Sequence, residues 1–109
     1  MNEAVADAND NVLVIAGHVV KAPRSRVSPG GIPITRFLLD HDSRQTEAGL
    51  PREVRCRIAV VASGSDLQDA ATGLTPGRAL RVTGFLARSG YRDSEVRIVL
   101  HAQRIEYLD

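Results

Sequence analysis

Arginine carries most of the chemistry available to this chain: of its 14 basic residues all but Lys21 are Arg. A guanidinium grips a phosphate through two parallel N–H donors and also stacks on a base, both of which an ammonium does less well. The arginines are grouped. Arg52, Arg55 and Arg57 fall close together in mid-chain, Arg88, Arg92 and Arg97 bracket a later polar turn with Tyr91 at its tip, and Arg24 and Arg26 sit in an earlier Pro/Gly-rich segment. A GC-rich genome also writes Arg for Lys, so the bias by itself leaves the partner open.

Other chemistries lack their residues. His18, His41 and His101 lie on three separate predicted strands without the short spacings of a metal motif, and each reads as a solvated or satisfied imidazole. Cys56 has no activating neighbour in sequence and alternates with apolar residues, so a small core residue is expected there. Ser28-Pro29-Gly30-Gly31 joins two strands, whereas a phosphate-cradling loop needs a helix N-terminus directly after it. Asp40 and Asp42 read as solvated carboxylates on a strand. No enzyme reading survives, and neither a cofactor nor a metal is expected.

With 109 residues, the chain makes one domain with one modest core. The acidic Met1–Asp10 segment is neither periodic nor a secretory signal and reads as a flexible arm, leaving 11–109 as the folded domain. No apolar run is long enough to span a membrane. A lone cysteine fits a reducing cytoplasm. The net charge of +1 hides an asymmetry: residues 11–109 hold 14 basic and 10 acidic side chains, a net +4.

Five strands are expected to position these groups. Val12–Val20 is a β-branched run in which Gly17 predicts a bend or bulge. Residues 21–33, with three prolines, read as a connection. Ile34–His41 alternates Thr35, Phe37 and Leu39 against Ile34, Arg36 and Leu38; both faces are partly apolar, so something covers part of the outer one. Residues 42–52 read as a loop. Val54–Val61 places Val54, Cys56, Ile58 and Val60 opposite Arg55 and Arg57. Ser63–Asp66 offers cap chemistry to one or two helical turns that end at Gly73. Arg78–Arg88 sets Leu80, Val82, Gly84 and Leu86 against Arg81, Thr83 and Phe85, and after a loop at 89–94, Val96–Tyr107 closes the chain. This order describes an all-β, five-stranded Greek-key barrel of the oligonucleotide/oligosaccharide-binding (OB) type, with a short helix between strands three and four.

In such a barrel the second and third strands, with the first-to-second and fourth-to-fifth loops, form the ligand face. A positive groove there tracks the phosphates of a single strand, while aromatic or guanidinium planes stack on its bases. A single exposed Arg is ordinarily a solubilising residue; it is their convergence on one face that argues for binding. Phe37, Phe85, Tyr91 and Tyr107 are the only aromatics. Phe37 is expected in the core and Tyr107 near the terminus, so Tyr91 is the stacking candidate and affinity should lean on charge.

Several segments resemble the primosomal replication protein N (PriB) family of the single-stranded DNA-binding superfamily. They are Asn11-x-Leu13-Val14-x-x-Gly17, Ala22-Pro23, Val27-Ser28-Pro29-x-Gly31-Ile32-Pro33, Phe37-x-Leu39-x-His41-x-Ser43, Glu47-Ala48-Gly49, Ser63-Gly64, Gly84-Phe85 and Val99-Leu100-His101-Ala102. The opening motif is shared with ordinary single-stranded DNA-binding proteins; the Val-Ser-Pro-x-Gly-Ile-Pro and Val-Leu-His-Ala segments are more specific. The resemblance runs from Asn11 to about Asp109. It implies a homodimer of OB folds that binds single-stranded DNA, stabilises the restart helicase PriA on DNA and recruits DnaT. The homodimer would account for the two-sided apolar strands. The family's DNA-contacting positions fall on Arg26, Leu50, Arg52, Arg55, Arg92 and Arg97, to which the chain's own charge pattern adds Arg57, Arg88 and Tyr91. Leu50 and Arg55 stand where enterobacterial members carry an aromatic, and Gly90 where they carry a base. Stacking then falls to the Arg55 guanidinium or to Tyr91, and weaker, more salt-sensitive binding is expected.

Two other readings make different predictions. A protein-interaction adaptor would use the same face chiefly for PriA or DnaT, with DNA secondary. An RNA-binding OB module would depend on 2′-hydroxyls.

Overall fold

In the computed structural model, which describes residues 8–89 and 97–109, the β-branched run at the start of the domain forms strand β1 (Leu13–Val19). There follow β2 (Arg24–Val27), β3 (Pro33–Glu47), β4 (Leu50–Ser63), a single 3-10 turn (Ser65–Leu67), helix α1 (Gln68–Thr72), β5 (Ala79–Arg88) and β6 (Ile98–Tyr107). The sheet order is β1-β5-β6-β4-β3-β2, and β1 also pairs with β3, which closes β1, β5, β6, β4 and β3 into a five-membered barrel. All the ladders are antiparallel except β4–β6.

Alternation decides what the barrel encloses. Phe37 and Leu39 from β3, Val60 and Ala62 from β4, Leu80 and Val82 from β5, and Leu100 and Ala102 from β6 fill the interior with Val19, while Leu67 and Leu74 plug one end. Each fully buried Leu or Val here contributes about 1.5–3 kcal/mol. Closure needs two backbones to approach without side chains between them. A Cβ at Gly17 would lie 2.1 Å from the Asp40 carbonyl oxygen, and one at Gly84 would lie 1.9 Å from that of His101. The β5–β6 register shifts between Thr83 and Gly84, a bulge that bends the barrel wall. Asn11 extends the β1–β5 ladder with its side chain: Nδ2 donates to the Leu86 carbonyl at 2.8 Å, and the Leu86 N–H donates to Oδ1 at 2.9 Å.

Four expectations are corrected. Arg24 and Arg26 are not on a loop. Pro23 and the Ser28–Gly31 turn confine the extended stretch between them to a short strand, which pairs with β3 from Arg24↔Arg36 to Val27↔Pro33. Residues 42–52 are not a loop either: β3 and β4 run on as a two-stranded arm to a two-residue turn, Ala48–Gly49, where both φ angles are positive at 53° and 76°. That is the sign pattern of a hairpin turn whose twist matches its strands. Cys56 is exposed rather than core, because it lies on this arm, where the apolar parity of β4 continues but nothing among the described residues covers it. Finally, neither helical segment has a side-chain N-cap hydrogen bond, so Ser63–Asp66 does not cap as expected.

Most of the arm expected over residues 1–10 lies outside the described residues, as do Tyr91 and Arg92. Among the described residues, no helix is long and apolar enough to cross a membrane.

Candidate functional site

The outer faces of β2, β3, β4 and β6 form a groove of about 640 Å³. Its rim carries Arg24 and Arg26 from β2, Arg36 from β3 and Arg88 from the end of β5; its floor is Ile34, Val61, Val99 and His101. Register explains the convergence. Arg24 pairs with Arg36, Arg36 with Val61, and Val61 with His101, so one row of outward side chains crosses four strands. None of the four rim arginines has an acidic partner among the described residues. Four guanidinium charges around an apolar floor favour a ligand with repeated negative charge and flat apolar parts.

The arm presents a different surface. Arg57 donates from Nε to Asp40 Oδ1 at 2.7 Å and from Nη2 to Oδ2 at 3.1 Å. This bidentate bond holds the Asp40 carboxyl below its usual value and raises Arg57. Arg55 lies 3.7 Å from Asp42, Arg44 lies 3.9 Å from Glu53, and Arg52 bonds Glu47. Asp40 and Asp42, expected as merely solvated carboxylates, therefore answer the arginines opposite them on the ladder. Exposed pairs of this kind add little to stability, so a phosphate can displace them. Leu50 begins β4 at the arm's tip and is 67% exposed.

The structure thus divides the expected site residues. Arg26 and Arg88 meet at the groove; Leu50, Arg52, Arg55 and Arg57 lie along the arm; Arg97 directly precedes β6; Tyr91 and Arg92 lie outside the described residues. Arg36 was not among them, although alternation already put it on the outer face of its strand. The histidines separate as well. His18 is exposed on β1. His41 Nδ1 meets the Ala16 carbonyl oxygen at 2.7 Å and Nε2 the Ser43 hydroxyl at 2.7 Å, tying β1 to β3. Among the described residues, no group of His, Cys, Asp and Glu is arranged to hold a metal ion.

Comparison with known proteins agrees with this architecture. Residues 11–104 match the model of a family described as another single-strand binding protein family. The chain is 46% identical over 99 residues, 91% of its length and 94% of the relative's, to the replication restart protein PriB of Photorhabdus laumondii. It is 43% identical over the same span to that of Erwinia tasmaniensis. Among solved structures, PriB of Ralstonia solanacearum superposes with a TM-score of 0.79 at 27% identity, covering 92% of this chain and 99% of that one. The single-stranded DNA binding protein of Thermus aquaticus gives 0.75 at 26%, covering 92% and 50%. The chain belongs to this single-strand binding protein family, on its PriB replication restart branch.

Proposed function

We propose that this chain is a non-enzymatic single-stranded DNA-binding accessory of bacterial replication restart, which keeps the PriA helicase on DNA and recruits DnaT for loading of the replicative helicase. The observation that carries the DNA-binding part is the groove, where four arginines without described acidic partners surround an apolar floor. A strand seated there runs from the groove onto the arm. Arg26 and Arg88 hold phosphates at the groove, and Arg52, Arg55 and Arg57 trade their carboxylate partners for phosphate. Leu50 at the tip and Arg97 just before β6 add to the contact set, as do Tyr91 and Arg92, which lie in sequence between β5 and β6. With no aromatic on the arm, binding leans on charge and weakens steeply with salt.

The chain acts as a homodimer in the cytoplasm. Among the described residues, β1 pairs with β3 only at His18 and Val19, which leaves most of that edge open there, and Val14 beside it is exposed. An open, apolar-flanked edge strand is a natural pairing surface for a second copy.

The test is charge reversal at the groove. Arg26→Glu with Arg88→Glu is expected to abolish binding of a fluorescent oligo-dT while PriA helicase capture persists. Unchanged oligonucleotide binding with lost PriA capture would instead support the protein adaptor, and stronger competition by an RNA than by its DNA equivalent the RNA-binding module.

A further inference from the structure

The row of outward side chains that crosses the groove does not stop at His101; the next residue in register, on β5, is Phe85. Its ring lies parallel to the His101 imidazole, with centroids 5.1 Å apart and planes 3° apart. Phe85 is 36% exposed, whereas Phe37 is buried in the core and the half-buried Tyr107 bonds the Ala70 carbonyl oxygen through its hydroxyl. Packing does not account for Phe85: its neighbours Gly84 and Leu86 face the barrel interior, and its own side chain faces out. Because His101 also lines the groove, the two stacked rings extend the apolar floor away from the arginine rim.

We infer that the Phe85–His101 pair is the base-stacking platform of this chain, seating a nucleobase whose flanking phosphates are held by Arg36 and Arg24. This rests on the reading of the groove as a single-stranded DNA site and names where its bases go. The strand spacing of about 4.8 Å keeps the platform and Arg36 within about 15 Å, so one short stretch of strand meets both. An aromatic face takes any base, which suits binding without sequence preference. A second copy of the chain fits this surface less well. A two-fold contact would lay the arginine rim against its own copy, and the acids nearby on the outer face, Asp40 and Asp42, are already engaged by Arg57 and Arg55.

The experiment compares full-length wild type and Phe85→Leu for binding to fluorescent oligo-dT and to an abasic phosphodiester of the same length. The wild type should prefer oligo-dT, and Phe85→Leu should lose about tenfold on oligo-dT while abasic binding stays the same. Phe85→Tyr, which keeps the ring, should keep the preference. A wild-type preference retained in Phe85→Leu overturns the platform and leaves the DNA site standing. Failure of the wild type to bind either oligomer overturns the DNA site itself. A change in sedimentation without DNA, with the preference intact, assigns the patch to a second copy and also overturns the platform. Independently of any variant, photocrosslinking of 5-iodouracil oligonucleotide to the wild type should label peptides that hold Phe85 or His101; labelling confined to other aromatics contradicts the inference.

Discussion

Asp40 and Arg57 face each other on the β3–β4 ladder and share a two-pronged hydrogen bond just beyond the barrel wall. The bond lowers the Asp40 carboxyl below its ordinary value of 3.8, so it stabilises the fold above that pH and its contribution disappears as pH falls through the lowered value. Asp40→Asn should therefore differ from wild type in thermal stability at neutral pH, and the difference should shrink in acid. The same variant releases Arg57 and removes a negative charge from the outer face. Oligo-dT should bind it more tightly than wild type, by a titration at fixed salt; weaker binding would mean that Arg57 needs its carboxylate for positioning.

Gly84 allows β5 to press against the β6 backbone at the bulge, where an added Cβ would lie 1.9 Å from a carbonyl oxygen rather than from a flexible side-chain end. Gly84→Ala should destabilise the fold by about 2 kcal/mol or more, seen as a lowered midpoint of urea unfolding. Phe85 is adjacent, so DNA binding should fall as well.

Ala48 holds a φ of 53° in the arm's turn, a region where a Cβ costs roughly 1 kcal/mol. Ala48→Gly should raise the melting temperature by a few degrees and leave oligonucleotide affinity unaltered, since the turn carries neither a charge nor an aromatic.

The sequence made the barrel legible wherever strict alternation was matched by an opposing wall: Val60, Leu80, Val82 and Leu100 are all buried as their parity requires. Alternation reports which side a residue faces, not whether anything covers that side, and so the sequence alone does not reveal that Cys56 and the arm stand clear of the core. Of the site, the concentration of arginine was legible and its pairing was not. Asp40 and Asp42 lie 17 and 13 positions from the arginines that engage them, and only the β3–β4 register brings them opposite. Arg36 and Phe85 had the correct outward parity from the start. What their sequence spacing does not show is that β4 and β6, paired in parallel, bring them into one row.

We propose that the groove arginines, which have no acidic partner among the described residues, hold the phosphates of a single strand more than the paired arm arginines do. The direct measurement is the salt dependence of oligo-dT binding for wild type, Arg36→Ala with Arg88→Ala, and Arg55→Ala with Arg57→Ala. A steep linear fall of log affinity with log salt is expected for wild type. The groove variant should lose about 1 unit of slope per arginine and the arm variant less. A flat response in wild type, or slope lost only from the arm variant, would contradict it.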